Sequence, residues 1–359
     1  MTPQSSGYDL LVQAGQTILP GPNGSPSISE QLSPEENLKN QRLAVERNAP
    51  ALALVRLALQ KPVEILEVMP GEKEFAFYAN MREVARQFIQ ESDVRFADGD
   101  YETAMSSRLD AMEMGTTIGR GFIIPMLVNM AIELITSRAI DNIAAKLDAP
   151  QCREAIARLE KIEERRTTLV EALECEQKHS LSKKLATLGD PKALAELKST
   201  EDGGFYSAQD IDQFKALTPE ELTENNERLF GAAIEAAKLP FFQSAKFHFP
   251  QDIEPFTKSA LMYLDKAHYR FSYDLGVARN RLLRAALQLR VQKLETGGYP
   301  ENFIAPIDPF AAGDKPLIYR KTDASYLLYS VGFNGIDENG TEIQTIEASA
   351  TGDIVQRPL

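Results

Sequence analysis

Apolar residues in this chain keep helical spacing almost from its start to residue 295, and strand-like segments occur only beyond Pro316. Residues 75–98 show the pattern: Phe77, Met81, Val84, Ala85, Phe88 and Val94 return close to every third or fourth position, on one side of a helix. A body without strands must bury its apolar stripes helix against helix. The expected fold is therefore mainly α, an irregular array of helical hairpins closed by a small C-terminal antiparallel β-hairpin.

Punctuation along the chain refines this. A short helix is expected over residues 8–19, broken by the Pro20-Gly21-Pro22-Asn23-Gly24-Ser25-Pro26 run. Ser33-Pro34-Glu35-Glu36 starts a helix to about Arg47, since serine caps free amides and proline suits the first turn. Asn48-Ala49-Pro50 is expected to cap a separate helix over 51–60. Residues 120–147 form the most apolar stretch and are expected at the centre. The charged segment 151–184 carries a stripe of Ile156, Leu159, Ile162, Leu169 and Leu173, expected to pack along that central helix. Residues 199–207 read as a surface loop, Thr218-Pro219-Glu220-Glu221 opens a capped helix to Lys238, and 255–295 is helical with at most one break near Gly276. Three regions follow: a short helix and Pro/Gly linker over 1–33, a helical domain over 34–250, and a long helix with hairpin and acidic loop over 251–359.

The junction Gly99-Asp100-Tyr101-Glu102-Thr103-Ala104, with Ala111 and Met112 beyond it, resembles the turn of a tetratricopeptide repeat. Glycine permits the tight turn and the alanines let two helices approach closely. Only one such unit is found, and a solenoid needs about three to bury its core. A single TPR-like hairpin inside an irregular helical domain is the expectation.

Composition excludes some partners. With 52 acidic against 39 basic residues the formal net charge is −13, and no basic stripe is available for a nucleic-acid backbone. The same sign disfavours anionic lipid. The longest apolar run, residues 122–135, is interrupted by Asn129 and Glu133 and is too short to span a bilayer, so no transmembrane segment is expected. Cys152 and Cys175 form neither a disulfide framework nor a zinc motif, and whether they are bonded stays open. Residues 1–7 carry no basic region followed by an apolar run, so the chain as written shows no signal peptide.

The C-terminal stretch from Arg279 reads as an exposed helix, a Gly298-Tyr299-Pro300 turn, two short strands and an acidic, glycine-broken loop. Its phrases are Asp308-Pro309-Phe310, Lys315-Pro316-Leu317-Ile318-Tyr319, Tyr326-Leu327-Leu328-Tyr329-Ser330-Val331-Gly332, then Asn334-Gly335-Ile336-Asp337-Glu338-Asn339-Gly340 and Gly352-Asp353-Ile354. Calcium takes six to eight hard oxygens from flexible turns of this composition, and Asp337, Asn339, Glu342 and Asp353 are the candidate side-chain ligands. The order of these phrases resembles the soluble C-terminal part of the major pseudopilin of type II secretion systems, over about the last 80 residues. That resemblance implies a calcium held in the loop after the second strand. This loop is longer and less acidic than the family's, with residues 343–350 inserted before Asp353. The prepilin cleavage site and long apolar stem are missing, which speaks against assembly into a pilus. A helical region preceding such a tail is similar to uncharacterised bacterial proteins bearing a membrane segment or export signal, which implies an extracytoplasmic location.

Other constellations are thinner. Glu176-Gln177-Lys178-His179 has the Glu-x-x-His spacing of di-iron bundles, and Asp265-Lys266-Ala267-His268 is a loose copy. Glu133 is a further inward carboxylate, although Glu176 and His179 sit among lysines and read as solvent-facing. Asn129 and Glu133, one turn apart, read as an internal tie with Arg120 or Arg138 as partner, or as a polar point in a small-molecule pocket. His248, between two phenylalanines, reads as a packed histidine. No Gly-x-Ser-x-Gly elbow, phosphate loop or His-Glu-x-x-His occurs. The expected function is a non-enzymatic extracytoplasmic interaction or scaffold protein with a protein partner and a calcium-stabilised tail. The alternatives are a di-iron-like helical enzyme and a small-molecule binder.

Overall fold

Ser6 and Ser33 each accept the backbone N–H three residues on, while Asp9 and Glu36 reach back to the serine amides. These boxes start α1 (Gly7–Thr17) and α2 (Pro34–Leu59) in the computed structural model, which describes residues 6–19, 33–63, 72–200, 206–244, 250–261, 268–347 and 349–359. Then follow α3 (Glu72–Ala97), α4 (Tyr101–Ile118), α5 (Ile123–Thr136), α6 (Ile140–Ala144), α7 (Ala149–Glu164) and α8 (Leu169–Gly189). After them come α9 (Pro191–Glu196), α10 (Ala208–Lys215), α11 (Pro219–Lys238), α12 (Phe241–Ser244), α13 (Pro255–Lys258) and α14 (His268–Thr296). The protein is mainly α, with one small antiparallel sheet at the C-terminus.

Three helical layers are linked through α4 and α5. The first packs α1, α2 and α3 around Leu11, Leu52, Met81 and Phe88, all fully buried, with Met114 and Ile132 closing it from α4 and α5. The second sets α4, α6 and α7 against Leu283 and Leu287 of α14. The third joins α5, α8 and α11 through Met126, Leu173 and Phe230. Between α3 and α4, Gly99 takes φ +79, and the Asp100 side chain caps Thr103 N–H at 3.1 Å. Phe96 and Tyr101 cover the turn with ring centroids 5.5 Å apart.

Strands β1 (Ile318–Lys321), β2 (Tyr326–Ser330) and β3 (Ile354–Gln356) pair in that order. The register sets Arg320 opposite Leu327 and Tyr329 opposite Val355. The third strand adds to the expected hairpin. It enters beside Gly332 (φ +68), where a Cβ would lie 2.4 Å from the Gly352 carbonyl, so only glycine allows the two backbones to meet. The inner face of the sheet and Phe310 and Phe333 lie on α14.

Four expectations are corrected. Pro50 does not start a new helix, because α2 runs through it, and Asn48 is buried. The Asn48 amide clamps the end of α1, accepting Leu19 N–H at 2.8 Å and donating to Gln87 at 3.1 Å. The apolar stretch 120–147 is two helices, broken where Ala139 adopts φ +58. Residues 151–184 are likewise split: Thr168 opens a fresh capping box with Glu171. Leu159 and Ile162 of α7 therefore join the α4–α14 layer, and Leu169 and Leu173 of α8 join the α5–α11 layer. Helix α14 is buried, not exposed: Ala278, Ala285, Ala286, Leu287 and Leu289 have no accessible surface. Among the described residues, no helix is long and apolar enough to cross a membrane.

Candidate functional site

The acidic loop folds back over the face of the sheet that carries Arg320 and Tyr329. In this register Arg320 faces Leu327, and Tyr329 is two residues further along β2, so both side chains share one face. Asp337 completes the group. Its Oδ1 accepts the Tyr329 hydroxyl and the Asn339 amide, each at 2.8 Å, and its Oδ2 accepts Arg320 Nη2 at 3.2 Å. Asn339, in the left-handed region at φ +58, offers Oδ1 to Arg320 Nη1 at 3.0 Å. Burial opposes ionisation of Asp337, but the Tyr329 hydroxyl, the Asn339 amide and Arg320 together hold its carboxyl below the usual range.

Asp353 has a different environment. It is fully buried, its Oδ2 accepts Gly340 N–H at 2.7 Å and its Oδ1 accepts Glu338 N–H at 3.4 Å. Burial raises its pKa against those amides, and the charges of Glu338 and Asp337 add to the rise. Glu338 accepts Asn334 Nδ2 through Oε1, while its buried Oε2 has no donor among the described residues. Glu342 points elsewhere, with Arg357 at 3.9 Å, although its backbone bridges Asp353.

The four expected ligands therefore do not meet at one point. Asp337 and Asn339 gather on Arg320, Asp353 sits beneath the loop amides, and Glu342 lies at the rim. Among the described residues, no three His, Cys, Asp or Glu side chains are grouped to hold a metal. What fits a cation is narrower: the donor-free Oε2 of Glu338 beside the buried Asp353 carboxylate. Sequence reasoning misses Arg320, Tyr329 and Glu338, and the hairpin register is the signal that finds the first two.

Glu133 is the second candidate. It is paired with Arg166, in the short break between α7 and α8, and not with Arg120 or Arg138. Arg166 Nη1 donates to Oε2 at 2.8 Å; Nη2 lies 2.6 Å from Oε1, close enough for an ion pair but not aligned as a hydrogen bond. Asn129 Nδ2 donates to Oε1 at 3.3 Å. Gly276 of α14 makes room, since a Cβ there would stand 2.8 Å from Glu133 Oε2. The ring of Tyr273 lies 5.9 Å from the Arg166 guanidinium, and burial pushes its hydroxyl up to about 12.

The Glu-x-x-His pair is not solvent-facing as expected. Glu176 is buried, and its Oε1 accepts Ile123 N–H at 3.1 Å, capping α5 where Phe122 offers no side-chain acceptor. Burial raises this carboxyl against the stabilising Ile123 amide. His179 packs edge-on against Phe122 at 5.5 Å, and burial, then Lys183, lowers its pKa. Asp265 and His248 lie outside the described residues, as does the side chain of His268. Both cysteines are free thiols, Cys152 buried and Cys175 half-buried.

Comparison of the chain with protein-family models, with curated proteins and with solved structures returned no match.

Proposed function

We propose that this protein is a non-enzymatic interaction and scaffold protein acting outside the cytoplasm, with a protein partner and a C-terminal loop that calcium stiffens. The observation that carries the scaffold reading is the set of charge pairs that join one element to another. Arg56 of α2 reaches Glu91 of α3 and Asp110 of α4, Arg158 of α7 reaches Asp110 at 2.7 Å, and Arg108 of α4 reaches Asp93 of α3 at 2.6 Å. Arg166 takes Glu133 of α5, and Arg281 and Arg284 of α14 take Glu163 of α7 at 2.6 and 3.1 Å. Each acid faces a guanidinium from another element, which ties the frame together. The extracytoplasmic placement rests on the similarity of a helical region followed by such a tail to uncharacterised bacterial proteins that bear a membrane segment or export signal.

For calcium, Asp353 and Glu338 are the side chains short of positive charge, and Asp337 and Asn339 join only if Arg320 releases them. Arg320 and the ion then compete for the same oxygens. Thermal unfolding in millimolar calcium against chelator tests this. A rise of a few degrees is expected, larger in Arg320→Ala and absent in Asp353→Asn. An equal melting temperature in calcium and chelator, for both wild type and Arg320→Ala, removes the ion from the proposal.

A further inference from the structure

Two asparagine-glycine pairs lie in the acidic loop, Asn334-Gly335 and Asn339-Gly340; a third, Asn23-Gly24, is outside the described residues. Glycine after asparagine leaves the following backbone nitrogen unshielded by a Cβ, so that nitrogen can attack the side-chain amide carbon. At Asn339 the nucleophile, the electrophile and the backbone between them are all tied down. The nucleophile, Gly340 N–H, donates to Oδ2 of the fully buried Asp353 at 2.7 Å. The oxygen of the electrophile, Asn339 Oδ1, accepts Arg320 Nη1 at 3.0 Å. The Asn339 backbone amide donates to Asp337 Oδ1 at 2.8 Å. Its φ of +58 is left-handed, a conformation that turns the next nitrogen away from the side chain. The residue itself is exposed, so water reaches it.

We propose that Asn339-Gly340 is a latent self-modification site, and that Arg320 and Asp353 form the clamp that holds it shut. When the clamp opens, Gly340 N bonds to Asn339 Cγ, its proton passes to the departing side-chain nitrogen, and ammonia leaves behind a five-membered succinimide. Water then adds to one of the two imide carbonyls and breaks its C–N bond, giving aspartate or isoaspartate. Either product sets a new carboxylate at position 339. Isoaspartate also inserts one extra atom into the backbone ahead of Gly340, so that amide no longer returns to Asp353 and the loop stays open. Opening of the loop is thereby fixed as a covalent, one-way change on the face that carries Arg320 and Tyr329.

Asn334 is a control within the same loop. Its Oδ1 accepts Ile336 N–H at 3.0 Å, its Nδ2 donates to Glu338, and Gly335 N–H donates to the Gly332 carbonyl at 3.2 Å. None of these bonds uses Arg320 or the Asp353 carboxylate. Peptide mapping of the folded full chain, held for days in mildly alkaline buffer with chelator, reads succinimide, aspartate and isoaspartate at each pair. The chelator makes the result independent of the calcium reading. In wild type Asn339 is expected to convert slowly, and the urea-unfolded chain at least about tenfold faster. Arg320 is exposed, so Arg320→Ala should keep the fold and speed Asn339 about threefold to fivefold, with Asn334 at its wild-type rate. Asp353→Asn gives up the charged acceptor and should speed Asn339 about tenfold. A rate at Asn339 in Arg320→Ala equal to or below that of wild type overturns the proposal. So does equal acceleration of Asn334 and Asn339, which marks a general loosening of the loop, or a folded wild type that converts Asn339 as fast as the unfolded chain.

Discussion

Glu133 illustrates how residue-level chemistry is legible while its partner is not. An acid inside the most apolar helix must be paired, and that much follows from the sequence. The partner lies 33 residues away, at a helix break inside a long charged run. Truncating Glu133→Ala strands Arg166 in the interior and should cost about 3–5 kcal/mol in urea unfolding, whereas replacing both partners with methionine should cost far less. Asp274 gives a second test. It pairs with Arg270 at 2.6 Å, yet burial lifts its carboxyl from 3.8 to about 6, with Asp308 adding repulsion. A raised carboxyl pKa means the folded state binds the extra proton. Its contribution is complete below about pH 4 and is lost as pH rises through about 6. Relative to Asp274→Asn, wild type should therefore lose stability across that window, and parallel pH profiles would refute the assignment.

At the scale of elements, the legible part is capping chemistry. The boxes at Ser33 and Thr218 stand where the sequence puts them, because serine or threonine followed by glutamate leaves little alternative. The same signature at Thr168–Glu171 is hidden inside a long charged run, and two helices occur where one is expected. Pro50 misleads in the opposite sense. It removes the N–H that would bond the Glu46 carbonyl, but the packed stripe of Ala51, Leu52, Val55 and Ala58 holds the helix through it. Pro50→Ala should then restore one helical bond and raise stability by about 1–3 kcal/mol, read as a higher urea midpoint with unchanged slope. Thr168→Ala should lower it by about 1 kcal/mol, since the α8 amides lose their acceptor.

At the scale of the molecule, α14 decides whether the tail is an appendage or part of the body. Residues 279–295 read as surface in the sequence because Arg279, Arg281, Arg284 and Arg290 punctuate them. Three of those arginines are spent on internal ties: Arg281 and Arg284 on Glu163, and Arg290 on the Leu147 carbonyl at 2.7 and 2.9 Å. The stronger signal is apolar residues on more than one face, which marks a buried helix. Leu283 and Leu287 pack on α7, while Ala278, Leu282, Ala285, Ala286 and Leu289 receive the sheet. Leu359 packs against both layers, and Asp308 buckles the tail by accepting Ser330 Oγ at 2.7 Å and Val331 N–H at 2.8 Å. Burying each such leucine is worth about 1.5–3 kcal/mol, so a body ending at Thr296 would expose several leucines' worth of stabilisation along one side of α14. A chain truncated after Thr296 should lose cooperative unfolding or associate through that face, seen by calorimetry and light scattering. If the truncated chain stays monomeric and melts at the full-length temperature, α14 needs no cover and the tail is a separate unit; the fused cores of α14 argue for the opposite result.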